Sequence, residues 1–123
     1  MPLSLPSAGF PSTARLRTPA EFNRVFRSGF RSADPCFSVF AYLNGMTDAR
    51  LGIAVARKAV AAAVDRNRIK RQVRESFRLR RAALPGLDVV VQAKPPAAAA
   101  SNAGIRASLE WHWQELVKRC ASY

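Results

Sequence analysis

From Asp65 to Arg81 the chain reads Asp-Arg-Asn-Arg-Ile-Lys-Arg-Gln-Val-Arg-Glu-Ser-Phe-Arg-Leu-Arg-Arg, with eight Arg or Lys against two acids, Asp65 and Glu75. At about 100° per residue this is a helix with two faces. Ile69, Val73 and Phe77, spaced i, i+4, i+8, form an apolar stripe that needs a sheet or another helix beneath it. Lys70, Arg74, Asn67, Arg78 and Arg71 fall within roughly the next 100° of arc. Solvated charged faces ordinarily mix Glu with Lys at i, i+4. Glu75 alone neutralises little here, so the like charges repel by a few tenths of a kcal/mol per pair. The chemistry open to such a face is to neutralise a polyanion, with release of the counterions condensed on its phosphates.

A second set of residues is aromatic. Phe22 and Phe26 lie one turn apart beside Arg24 and Arg27, and Phe40 sits in an alternating stretch. Rings in this setting either fill a core or offer a surface on which unpaired bases stack. Hydrolysis by this chain is poorly supported by comparison. The acids Glu21, Asp34, Asp48, Asp65, Glu75, Asp88, Glu110 and Glu115 are scattered singly, and none stand at the spacing of a metal pair. No phosphate-binding glycine loop or HExxH appears, and the serines have no partner base near them. His112, without a Cys, Asp or second His at ligand spacing, reads as a structural or surface residue. The reading is binding rather than catalysis.

Composition agrees. The 123 residues carry a net charge of +12, which favours phosphate or an anionic membrane surface as partner, and 49 % are apolar, too many for a disordered basic tail. That length makes one domain able to bury a core without staples. Cys36 and Cys120 have neither CxxC nor Cys/His spacing, so reduced thiols in a cytoplasmic protein are expected. No apolar run is long enough to span a bilayer, and Met1–Gly9, broken by Pro2, Ser4, Pro6 and Ser7, is not expected to act as a secretion signal.

The elements that must position these residues follow in order. Residues 1–12, rich in Pro and Ser, read as a flexible N-terminal segment, and residues 13–120 as a single α+β domain. Thr18-Pro19-Ala20-Glu21 is a capping box opening a short helix that Gly29 ends. Residues 36–43 alternate as a strand: Phe37, Val39, Ala41 and Leu43 face one way, Cys36, Ser38, Phe40 and Tyr42 the other. After the Asn44-Gly45 turn, Arg50–Ala56 makes a second strand, expected to pair with the first as an antiparallel hairpin. Gly52, Ala54 and Ala56 would then give Phe40 and Tyr42 a shallow floor, open to bases or covered by a helix. The basic helix stops at Pro85-Gly86. Leu87–Ala93, with three consecutive valines, reads as a central strand covered on both faces. A last helix, capped by Ser101 or Asn102, carries Ile105, Leu109, Trp113, Leu116 and Cys120 on one side. The order α-β-β-α-β-α gives a two-layer sandwich of a small sheet with packed helices.

Arg66-Asn67-Arg68-Ile69-Lys70-Arg71-Gln72-Val73-Arg74-Glu75-Ser76-Phe77-Arg78 resembles the signature helix of the bacterial ribonuclease P protein component. Arg15-Leu16, Glu21-Phe22, Val25-Phe26, Gly29, Leu51-Gly52-Ile53-Ala54-Val55, Arg57-Lys58 and Asp88-Val89-Val90-Val91 follow that family's order and spacing, so the resemblance covers roughly residues 13–118. It implies a subunit of a ribonucleoprotein endonuclease that removes the 5′ leader of precursor tRNA. A catalytic RNA performs the hydrolysis there, with Mg2+ held through the RNA, no cofactor is bound by the protein, and no protein partner or membrane is needed. By the same resemblance Arg66, Asn67, Arg68, Lys70, Arg71 and Arg74 contact the catalytic RNA. Phe22, Phe26 and Phe40, with Arg57, Lys58 and Arg15, line the cleft for the single-stranded leader. The family also implies a left-handed β-α-β crossover through the basic helix, against the usual hand. Arg57 stands where a lysine is common, which keeps the charge and changes the donor geometry. The alternative is a ribosomal or other structural RNA-binding protein with no part in tRNA processing. A DNA-groove reader is disfavoured, since Asn67 and Gln72 are its only base-reading amides and Gln72 lies off the basic arc.

Overall fold

Thr18-Pro19-Ala20-Glu21 opens helix α1 (Pro19–Ser28) as a capping box. The Thr18 hydroxyl accepts the Glu21 N–H at 3.2 Å, and the Glu21 carboxylate accepts the N–H groups of Thr18 at 3.0 Å and Arg17 at 2.7 Å. Those bonds hold the Glu21 carboxyl below its ordinary pKa, with Arg50 assisting. Gly29 ends the helix, its N–H donating to the Val25 carbonyl.

The computed structural model describes residues 14–121, so the expected flexible segment 1–12 lies outside the described residues. After α1 come β1 (Phe30–Ala33), β2 (Phe37–Leu43), β3 (Arg50–Ala54), α2 (Ala63–Arg80), β4 (Leu87–Ala93) and α3 (Asn102–Ala121). Short 3-10 turns at Arg81–Ala83 and Pro95–Ala98 flank β4. Among the described residues the strands form one mixed sheet in the order β1-β2-β4-β3.

The sheet corrects two expectations. β2 and β3 do not pair as a hairpin: β4 lies between them, antiparallel to β2 (Val39 opposite Val91) and parallel to β3 (Ile53 opposite Val91). The cause is β4 itself, whose run from Leu87 to Val91 is buried throughout and can be satisfied only in a central slot. Asn44-Gly45 still turns the chain, with Gly45 at φ +73°, but it releases the chain to the far edge rather than to a neighbouring strand. The second correction is β1, a strand absent from the expected order. Phe30–Ala33 leaves Gly29 directly and pairs antiparallel with β2, Arg31 opposite Phe40. On the far side the Leu16 N–H donates to the Leu51 carbonyl at 2.9 Å, covering the edge of β3.

Helices α2 and α3 lie against one face of the sheet. Ile69, Val73 and Phe77 are fully buried there with Phe37, Val39, Leu51, Val89 and Val91. Each such side chain contributes about 1.5–3 kcal/mol, enough to fix which side of α2 faces water. Ile105, Leu109, Trp113 and Leu116 of α3 join this core, and Ser101 caps the helix by accepting the Gly104 N–H. Trp113 Nε1 donates to Ser76 Oγ at 2.8 Å, and its ring meets Phe77 edge-on, tying α3 to α2. Among the described residues Cys36 and Cys120 are half-buried and unbridged.

α1 covers only part of the other face. Val25 is buried there with Leu16 and Val90, and Phe22, Phe40 and Tyr42 surround them. The floor beside Phe40 and Tyr42 is therefore not Gly52, Ala54 and Ala56 but Val90 and Asp88 of β4, with Gln92 diagonal to Phe40 and β3 one strand further out.

Candidate nucleic-acid interface

Helix α2 carries its cations in two different states. Arg66 Nη1 donates to the carbonyls of Val60 at 3.0 Å and Ala61 at 2.7 Å, closing the turn that precedes the helix. Arg68 reaches across to the chain before α3, donating to the carbonyls of Ala98 (3.2 Å) and Ala100 (3.1 Å) and to Asn102 Oδ1 (3.0 Å). Arg78 pairs with Glu75, and Arg80 with Glu110 at 2.6 Å. Among the described residues Asn67, Lys70, Arg71 and Arg74 have no such partner, and all but the half-buried Lys70 are exposed. Of the six residues expected to meet RNA on this helix, four thus present free polar heads, and Arg66 and Arg68 are engaged with the backbone.

Lys70 and Arg74 look into a groove of about 470 Å³ at the outer edge of β3. Arg15, Leu16, Phe22, Leu51, Gly52 and Ile53 complete its walls. Phe22 can sit there because residue 52 is glycine: a Cβ on Gly52 would come within 2.7 Å of the Phe22 ring. The groove thus joins Phe22 and Arg15, expected for one ligand, to Lys70 and Arg74, expected for another.

Phe26 and Phe40 belong to a separate patch on the sheet face. Their rings meet edge-on at 4.9 Å, Phe26 being 38 % exposed and Phe40 half-buried. The Arg31 guanidinium lies 5.7 Å from the Phe40 ring centroid and donates to Ser38 Oγ at 3.0 Å. Arg24 stands 6.0 Å from the Tyr42 centroid. Arginines bordering rings in this way can grip phosphates while the rings take bases. Arg57 and Lys58 are exposed on the turn that leaves β3 and line neither concavity. Sequence reasoning missed Arg31, whose strand went unread. On β4 the alternate residues Asp88, Val90 and Gln92 lie on the face of Phe40.

Two acids, Asp88 and Asp34, are committed inside the fold. Asp88, fully buried, accepts from Arg50 at 2.8 and 2.7 Å and from Asn44 at 2.9 Å, and Arg50 also reaches Glu21 at 3.2 Å. Asp34 accepts the backbone N–H groups of Cys36 and Phe37 and the Ser108 hydroxyl. Burial alone would raise the Asp34 carboxyl, but these bonds and His112 together hold it below its ordinary value. His112 is fully buried and structural: its Nδ1 lies 2.8 Å from Ser32 Oγ, and its Nε2 lies 3.2 Å from Asp34 Oδ1, off the line of a good hydrogen bond. Among the described residues no group of three His, Cys, Asp or Glu is placed to hold a metal ion, and no helix is long and apolar enough to cross a membrane.

Residues 10–117 match the family model described as Ribonuclease P. The chain is 49 % identical over 113 residues to the ribonuclease P protein component of Methylococcus capsulatus, covering 92 % of this chain and 88 % of the relative. It is 43 % identical to that of Thioalkalivibrio sulfidiphilus, over 93 % of this chain and 95 % of the relative. Among solved structures, the Staphylococcus aureus RNase P protein superposes with a TM-score of 0.77 at 35 % identity, covering 85 % of this chain and 95 % of that one. The Thermotoga maritima RNase P protein gives 0.73 at 33 %, over 82 % and 96 %.

Proposed function

The chain belongs to the ribonuclease P protein family, and from that premise we propose how its surface is divided between the RNAs it serves. Its role is that of the family, tRNA 5′ processing as the protein component of an endoribonuclease, and its partners are the ribonuclease P RNA and the tRNA substrate.

The observation that carries our reading is the set of unpaired cations on α2 beside a fully buried apolar stripe. Asn67, Lys70, Arg71 and Arg74 contact the phosphates of the catalytic RNA, while Arg66 and Arg68 fix the two ends of chain that set the helix in place. The single-stranded 5′ leader of precursor tRNA lies on the Phe26–Phe40 patch and runs past Phe22 and Arg15, with Arg57 and Lys58 meeting its phosphates. Stacking supports a grip of about 1–3 kcal/mol per base with little sequence preference. Cations along the path offset repulsion between leader phosphates and those of the catalytic RNA. The magnesium ions needed for phosphodiester hydrolysis are assigned to the RNA. The donor set of this chain favours that assignment, since Asp88 and Asp34 are saturated by internal partners. We place the protein in the cytoplasm.

The test is equilibrium binding of precursor and mature tRNA to the catalytic RNA with and without the protein. The protein is expected to tighten precursor binding selectively; equal tightening of both ligands would remove the leader from the interface.

A further inference from the structure

The part of the sheet face that α1 leaves open carries one polar side chain that nothing engages. β4 puts Asp88, Val90 and Gln92 on this face. Asp88 is sealed by Arg50, and Val90 by Val25 and Leu16. Gln92 is exposed and, among the described residues, has no hydrogen-bond partner. Its register neighbours are Ser38 on β2 and Ala54 on β3, with Ala33 beyond Ser38. All three are short, but Ser38 is buried and accepts from the Arg31 guanidinium, so the amide stands beside that arginine. Phe40, paired with Val90, stands diagonally from it at roughly 7–8 Å, with Arg31 over the ring.

We propose that Gln92 is a specificity-determining residue, whose side-chain amide reads the edge of an unpaired base in the RNA strand lying on the Phe40 face. The inference rests on the leader path proposed above and names the group in it that depends on sequence. Stacking on Phe26 or Phe40 is indifferent to base identity, and Arg31, Arg57 and Lys58 contact phosphates, which carry no sequence. A primary amide is different, because it sets one donor and one acceptor side by side and accepts only a base edge that offers the complementary pair. Gln92 is the one exposed residue of β4, and the other polar residue of that strand, Asp88, is already sealed by Arg50, so the Gln92 amide is left beside the Phe40 ring for a base stacked there to meet.

The experiment uses the reconstituted holoenzyme and precursor tRNAs in which each leader position is varied through all four nucleotides, with equilibrium Kd as readout and mature tRNA as reference. In the wild type, one leader position is expected to spread the four nucleotides over roughly fivefold or more in Kd, and Gln92→Ala to narrow that spread to about twofold or less. Other positions, mature tRNA binding and Tm are expected to stay unchanged in this variant. Gln92→Glu, which keeps the size and loses the donor, is expected to re-rank the nucleotides toward bases that present an amino group. If the wild type spreads at no position, or if both variants keep its spread while Phe40→Ala still weakens precursor relative to mature tRNA, the amide is not the reader and the leader path stands. If Phe40→Ala has no leader-specific effect, the leader path and this inference fall together.

Discussion

The Arg50 guanidinium grips the buried Asp88 carboxylate through two parallel hydrogen bonds, Nε to Oδ1 at 2.8 Å and Nη2 to Oδ2 at 2.7 Å. Its remaining Nη1 reaches Glu21 on α1 at 3.2 Å, so one side chain ties the central strand to the helix that carries Phe22 and Phe26. Asp88→Ala leaves Arg50 with Glu21 alone and the Asn44 amide with only the Asp48 carbonyl to donate to. The expected cost is about 3 kcal/mol, toward the low end for a broken buried pair because Arg50 keeps one partner. For a domain of this size that lowers Tm by roughly 10 °C, which a calorimetric scan would show. A loss below about 0.5 kcal/mol would mean the pair does not anchor α1.

Arg68 and Arg71 are three residues apart and are expected to behave differently. Arg68→Ala removes the bonds to Ala98, Ala100 and Asn102 that hold α2 to the start of α3, and stability is expected to fall by about 2 kcal/mol. Arg71→Ala and Arg74→Ala are expected to leave Tm nearly unchanged. Each is expected to flatten the plot of log affinity for catalytic RNA against log salt by about 0.7–0.9 for each phosphate it no longer neutralises. Denaturant melts paired with salt titrations check both halves of this contrast.

Phe26→Ala removes a ring that is 38 % exposed, and precursor tRNA binding is expected to weaken by about 1–3 kcal/mol if one base stacks there. Mature tRNA and assembly with the catalytic RNA are expected to be spared. Phe40→Ala is expected to show the same selectivity with a lower Tm as well, because its ring is half-buried and supports Phe26 edge-on.

Burial pushes the His112 imidazolium pKa below its ordinary value near 6.5, and Asp34 only partly counters this. The unfolded chain therefore takes up a proton at the ordinary value, and the folded chain only at lower pH. Between the two values the unfolded state holds the extra proton, so stability is full above pH 6.5 and falls as pH drops through it. Urea midpoints measured from pH 8 to pH 5 are expected to decline in the wild type and to decline less in His112→Gln. Parallel curves would show that another group sets the dependence.

The basic helix was legible because its information is local. Ile69, Val73 and Phe77 recur at a helical period, and only a helix puts them on one side. The Thr18–Glu21 box was equally local, confined to four residues. What could not be read depends on residues far apart in the chain. Nothing near Arg68 distinguishes it from Arg71, since the carbonyls that engage it lie thirty residues downstream. The hairpin expectation used a sound turn signal at Asn44-Gly45, yet strand partners are chosen by which strand most needs cover on both faces, and β4 outcompeted β3 for the place beside β2. β1 escaped notice because four residues, Phe-Arg-Ser-Ala, carry too short an alternation to separate from the helix end at Gly29. The leader residues were named without their grouping: Phe22 with Arg15 in a groove at the edge of β3 and Phe26 with Phe40 on a separate patch of the sheet face is a property of the sheet, not of spacing.

Because β4 is inserted between two strands made long before it, the order of synthesis matters. β2 and β3 share no hydrogen bonds with each other, so among the described residues up to Ala54 the sheet contacts are limited to the β1–β2 ribbon and the Leu16–Leu51 bridge. The arginine-rich helix follows with its greasy stripe uncovered, and the sheet can zip up only once Ala93 is free. During that interval a strongly cationic nascent chain meets abundant RNA with its hydrophobic side still bare, and its safety rests on how quickly the last strand arrives.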